Sequence, residues 1–124
     1  MPSPDLTPVT SIDEIEPLVQ ASFERPVVIL KHSRSCGTSA MALDEVLDHL
    51  SRTHGAGARY AIVTVQTHRD VSTTLAARLG IRHETPQALV LRHGRVAWHA
   101  SHYRVTAAAI EAAVEKAAEA EQPA

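Results

Sequence analysis

Apolar residues along the chain switch between strand-like and helix-like spacing, and each switch marks an element. Val27-Val28-Ile29-Leu30-Lys31-His32 is a nearly continuous apolar run, the pattern of a strand covered on both faces. Leu43, Val46, Leu47 and Leu50 then recur at helical spacing between Gly37 and His54, and the stripe ends before Gly55-Ala56-Gly57. Tyr60-Ala61-Ile62-Val63-Thr64-Val65 reads as a second two-sided strand. Asp70 is expected to cap a helix holding Val71, Leu75, Ala76 and Leu79, which Gly80 stops. Ala88-Leu89-Val90-Leu91 and Val96-Ala97-Trp98 flank His93-Gly94 as a β-hairpin. Thr106 then caps an alanine-rich helix with Ile110 and Val114 on one face.

Ahead of these, Ser11 and Glu14 resemble a capping box before Ile12, Ile15, Leu18 and Val19, with Pro17 leaving the helix start between Ser11 and about Glu16. The predicted order is α-β-α-β-α-β-β-α. A strand, crossover helix and parallel strand followed by a helix and a hairpin make an α/β fold, a small mixed sheet with helices on both faces. Residues 1–10, with three prolines, read as a flexible N-terminal arm, and residues 11–121 as the domain; the end around Gln122-Pro123 reads as frayed.

Composition narrows the chemistry. The chain has 124 residues, enough for one domain, and a formal net charge of −2 with no dense basic cluster, so neither nucleic acid nor membrane is an expected partner. No apolar stretch is long enough for a membrane span, and Met1-Pro2-Ser3-Pro4-Asp5 lacks the start of a secretory signal, so a cytoplasmic protein is expected. A single cysteine excludes an internal disulfide and fits a reducing compartment.

That cysteine, Cys36, sits between the first apolar strand and the helix beginning near Gly37. A thiol there meets the partial positive charge of a helix N-terminus, and the amides near Gly37, the Arg34 charge and a second charge on His32 would all favour its thiolate. A lone cysteine in an arbitrary chain is more often a packing residue. Placement at this junction, among small polar neighbours, favours the reactive reading. Ser39 stands where a dithiol motif carries its second cysteine, and its hydroxyl can donate to a thiolate but cannot resolve a mixed disulfide. Of the eight histidines only His99 and His102 are close enough to suggest a metal, and extended geometry sends residues three apart to opposite faces unless the chain bends at Ala100-Ser101. No dedicated metal site is expected.

A cysteine after the first core strand, with Thr85-Pro86 just before the third, resembles the thioredoxin fold. The resemblance implies a cis Thr85-Pro86 bond facing Cys36, with Thr85 offering its backbone to an extended peptide or peptide-like thiol. Lys31-His32-Ser33-Arg34-Ser35-Cys36-Gly37-Thr38-Ser39, Leu79-Gly80-Ile81-Arg82-His83-Glu84-Thr85-Pro86-Gln87 and Trp98-His99-Ala100-Ser101-His102 together resemble the monothiol bacilliredoxin family, from about Leu6 to Val114. This implies a thiol-disulfide oxidoreductase whose Cys36 removes bacillithiol, or another low-molecular-weight thiol, from S-thiolated proteins. Ser101 and His102 would border the small-thiol site, the thiol would be a co-substrate, and no bound cofactor would be needed.

The family's usual Thr-Cys-Pro-Ile-Ser is Ser35-Cys36-Gly37-Thr38-Ser39 here, which is partly like the Cys-Gly-Phe-Ser of monothiol glutaredoxins. Two other readings are therefore a redox sensor that is oxidised at Cys36 without turnover, and a protein holding an iron–sulfur cluster between two chains.

Overall fold

The computed structural model describes residues 5–35 and 37–120. A five-stranded mixed sheet runs through it in the order β1-β3-β2-β4-β5. Strands β1 (Leu6–Pro8), β3 (Arg59–Thr64) and β2 (Val27–His32) are parallel, while β4 (Gln87–Arg92) pairs antiparallel with both β2 and β5 (Arg95–Ser101). Helices α1 (Ile15–Ala21), α2 (Gly37–Thr53), α3 (Arg69–Leu79) and α4 (Ala107–Glu119) complete the thioredoxin-like α/β architecture. Strand alternation divides β2 between two cores. Val28 and Leu30 pack with Val46 and Leu50 of α2 and Ile110 of α4, and Val27 and Ile29 pack with Leu18 of α1 and Leu75 of α3. Each fully buried leucine contributes roughly 2 kcal/mol, so both helical layers are secured by the same central strand.

The first residues differ from expectation. Leu6–Pro8, placed by the sequence in a loose arm, form an edge strand, with Leu6 buried and the Val9 N–H donating to the Ile62 carbonyl at 2.9 Å. Only one of its three side chains is buried, which leaves no alternation to read, and Pro8 is tolerated because an edge strand does not need every N–H in a ladder. The order is therefore β-α-β-α-β-α-β-β-α, and the ordered domain begins before residue 11.

Helix ends follow their chemistry with two shifts. Ser11 Oγ accepts from the Asp13 N–H, but the Glu14 carboxylate accepts from Thr10, and a 3-10 turn at Ile12–Glu14 leads into α1. Pro17 thus falls in the first turn of α1, where its missing N–H costs nothing. Asp70 is not the cap of α3: His68 occupies that position, and Asp70 lies within the first turn, where its charge meets the positive end of the helix. Gly80 ends α3 at φ 65°, and Thr106 caps α4 by accepting from the Ala109 N–H.

The predicted hairpin turns at His93 and Gly94, both at positive φ. A Cβ on Gly94 would come within 2.8 Å of the ring of Phe23, whose exposed side chain would have to shift, so the demand for glycine here comes from the positive φ. Trp98 is partly buried against the core of α2 and α4. No helix among the described residues is long and apolar enough to cross a membrane.

Candidate functional site

Two segments define the site: one follows β2 and the other precedes β4. Parallel pairing of β2 with β3 brings their C-terminal ends side by side, and the Val65 N–H donates to the His32 carbonyl at 2.9 Å. The loops that follow are therefore neighbours. Gln66, which the sequence reading did not single out, accepts from the Arg34 N–H at 3.1 Å and donates to Ser33 Oγ at 2.6 Å and Ser35 Oγ at 3.1 Å. One amide side chain thus holds three consecutive residues of the segment that leads into position 36. Its signal was topological, because only the neighbouring of β2 and β3 makes the first polar residues after β3 face this loop.

Cys36 itself lies outside the described residues. Gly37 opens α2, and a Cβ there would meet nothing within 4 Å. Ser39 is fully buried and its hydroxyl accepts from the Ser33 N–H at 3.2 Å, which closes the segment onto the helix and leaves the hydroxyl proton available to another acceptor. Arg34 is exposed.

His32 differs from its expected role as a second positive charge. Burial pushes its pKa down, the nearby Arg34 charge adds to this, and the backbone of Ser39 opposes it. Its buried Nδ1 has no hydrogen-bond partner among the described residues.

The second segment has the backbone form that the resemblance implied. Thr85-Pro86 is cis, Pro86 is buried, and the Pro86 carbonyl accepts from the His102 N–H at 3.0 Å. The Thr85 backbone N–H and C=O have no hydrogen-bond partner among the described residues and remain available to an added extended chain. The antiparallel register sets Gln87 opposite Ser101, and Ser101 Oγ donates to the Glu84 carboxylate. Glu84 is a second residue that the sequence reading missed. That hydrogen bond holds its carboxyl below the usual range, and His102, Arg82 and His99 add favourable charge.

At His102 the chain turns through φ 57° into a 3-10 turn, His102–Arg104. The bend comes at His102 rather than at Ala100-Ser101, and it places His99 and His102 on one cleft of about 370 Å³ with Glu84. A neighbouring cleft of about 390 Å³ lies between the first turns of α2 and this 3-10 turn, lined by Thr38, Met41, Glu45, His102 and Tyr103. His102 belongs to both. Thr85, Pro86, Ser101 and His102 are thus brought together at one end of the sheet, and the start of α2 adjoins them through Thr38. Among the described residues no group of three or more His, Cys, Asp or Glu side chains is arranged to hold a metal.

The arrangement pairs a lone cysteine position at a helix start with an open backbone edge and a polar cleft, a combination suited to exchange between an extended or small thiol and a single sulfur. Comparison with known proteins agrees. A solved candidate oxidoreductase with a thioredoxin fold is 28% identical, with a TM-score of 0.78 over 88% of this chain and 93% of the other. The thioredoxin of Malassezia sympodialis superposes with a TM-score of 0.72 at 17% identity over 95% of each chain. Mitochondrial thioredoxin 3 of Saccharomyces cerevisiae, in its oxidised form, gives 0.68 at 14% identity, covering 90% of this chain and 94% of its own. These two share the fold. The model of the monothiol bacilliredoxin BrxC matches residues 7–110. The chain therefore belongs to the monothiol bacilliredoxin family and is a thiol redox protein with a thioredoxin-like fold.

Proposed function

We propose that the protein removes bacillithiol, or another low-molecular-weight thiol, from S-thiolated proteins through Cys36. The thiolate attacks the small-thiol sulfur of the protein mixed disulfide, that S–S bond breaks, and the protein leaves as a thiolate that takes a proton from solvent. Cys36 then carries the small thiol in a new disulfide. A second small-thiol anion attacks the carried sulfur, giving the symmetric small disulfide and regenerating the Cys36 thiolate. Electrons and atoms balance with the small thiol as co-substrate, no bound cofactor is required, and the chemistry suits a reducing compartment such as the cytoplasm.

The observation that carries this reading is the single cysteine of the chain at the β2–α2 junction, in a fold whose docking edge at Thr85 is open. In this reading Arg34, the amides near Gly37 and the Ser39 hydroxyl stabilise the thiolate. Thr85 and Pro86 dock the protein, and Ser101 and His102 border the small thiol, with Glu84 available to an amine or hydroxyl on it. Mass spectrometry after incubation with mixed disulfides of bacillithiol, glutathione and mycothiol tests the proposal. Selective transfer of bacillithiol to Cys36 is expected; transfer of none of the three would reject it.

A further inference from the structure

Lys31 is the last residue but one of β2 and is fully buried, on the face that packs against α1 and α3. A buried ammonium normally has a carboxylate partner, and among the described residues this one has none. Its Nζ donates instead to the Ser72 carbonyl of α3 at 3.3 Å and to His83 Nδ1 at 3.1 Å. Accepting from an ammonium fixes the imidazole with its proton on Nε2, and Ser72 Oγ lies 3.1 Å from the same Nδ1.

Directly opposite Lys31 in the β2–β4 register is Gln87, also buried. Gln87 Nε2 donates to the Arg82 carbonyl at 2.9 Å, while its Oε1 is buried without a partner. Two side chains from facing positions on adjacent strands therefore grip consecutive residues, 82 and 83, of the segment that ends in Thr85-Pro86. Otherwise that segment has little regular structure: residues 81–84 lie in neither helix nor strand. Val63, the β3 neighbour of Lys31, is apolar and contributes no charge. The other charges near His83 are Arg69 on α3 and Glu84, the latter bonded to Ser101. Burial also brings Lys31 down to about 8, in keeping with a cation held by neutral partners alone.

We propose that Lys31 is a positioning residue for protein docking: through His83, and together with Gln87, it anchors the segment before Thr85 to the sheet, so that the open backbone of Thr85 is held in place. This rests on the exchange reading above. It gives the ammonium a use that a stability role does not, since an apolar side chain of similar size would fill the site without the cost of burying a charge.

Three variants test it: Lys31→Met, His83→Ala and His83→Asn, the last keeping an acceptor at about the place of Nδ1. Lys31→Met and His83→Ala should raise KM for a bacillithiolated protein roughly five- to tenfold, the worth of about one hydrogen bond of loop order, with kcat within about twofold. His83→Asn should stay near the wild-type KM. Backbone 15N order parameters of residues 82–85 should fall in the first two variants, and Lys31→Met should melt no lower than wild type. Unchanged order parameters in Lys31→Met, or a lowered melting temperature with kcat and KM otherwise unmoved, would overturn the proposal. A wild-type protein without turnover would sink the exchange reading, a distinct failure, because order parameters report the anchoring without turnover.

Discussion

The segment leading into Cys36 and the segment leading into Thr85 meet at the same end of the sheet but are held by opposite means. Residues 33–35 are tied from the side by the exposed, neutral amide of Gln66 and closed onto α2 by Ser39. Residues 82 and 83 are gripped from beneath by the buried side chains of Lys31 and Gln87. Exposed neutral hydrogen bonds contribute little net stability and exchange readily with water, whereas buried ones are costly to leave unmade. Apart from the part-buried Ser39 tie, residues 33–35 are therefore held by exposed bonds, and residues 82 and 83 by part-buried ones. Under the proposed exchange, this division would leave the sulfur segment free to adjust to a bulky mixed disulfide and then a small thiol, while the segment before Thr85 stays in place.

The largest expected effect sets the chemistry apart from its supports. Cys36→Ser should abolish thiol transfer, since no other sulfur nucleophile of cysteine type exists in the chain, whereas changes in either supporting segment should only scale it. Retained transfer in Cys36→Ser, followed by gel-shift of the released protein thiol, would remove the sulfur segment from the account.

Next in size is a paired comparison of the two glutamines. Gln87→Leu leaves the Arg82 carbonyl without its partner and should cost about 2 kcal/mol in urea unfolding, while Gln66→Leu should cost less than about 1 kcal/mol. Equal losses would erase the distinction between a buried grip and an exposed tie.

The Lys31 ammonium gives the comparison a pH dependence. Its pKa is about 8 in the folded protein, below the usual lysine value of 10.5, so between these values the unfolded chain binds more protons than the folded one. Stability attributable to this group therefore rises as pH goes from about 8 towards 10. Below 8 both states are protonated and the slope vanishes. Denaturation of wild type and Lys31→Met from pH 7 to 10 should show a rise in the wild type that the variant lacks; parallel curves would mean that the ammonium is not desolvated.

These two segments were unequally legible in the sequence. The apolar runs of β2, β3 and β4 are continuous because both faces are covered, and Thr106, Gly80 and His93-Gly94 carry local turn or cap chemistry, so the central fold could be read directly. Thr85-Pro86 and Ser101-His102 were found by resemblance, and the sheet register brings them together. Leu6–Pro8 escaped because one buried side chain in three makes no pattern. Gln66, Glu84 and the Lys31–His83 contact escaped for another reason: each joins residues whose nearness exists only after the strands are ordered. The burial of His32, which disfavours a charge there, cannot be counted from sequence.

The smallest expected effect concerns Gly37. Space around it is open and the first turn of a helix tolerates proline, so Gly37→Pro, which restores the family's usual residue, should change stability by less than about 0.5 kcal/mol. It removes one N–H from the helix start, so alkylation of Cys36 across pH should report a pKa higher by up to about one unit. A lower value would show that this amide does not serve the thiolate.

The central claim is that Cys36 takes the small thiol and releases the protein. A protein bearing one bacillithiol, mixed with this chain in the absence of free thiol and followed by intact mass, tests it most directly. The account predicts that the bacillithiol mass moves to Cys36 in step with, and equimolar to, the appearance of the free protein thiol. A stable disulfide between Cys36 and the substrate protein, or a substrate that keeps its bacillithiol, would contradict it.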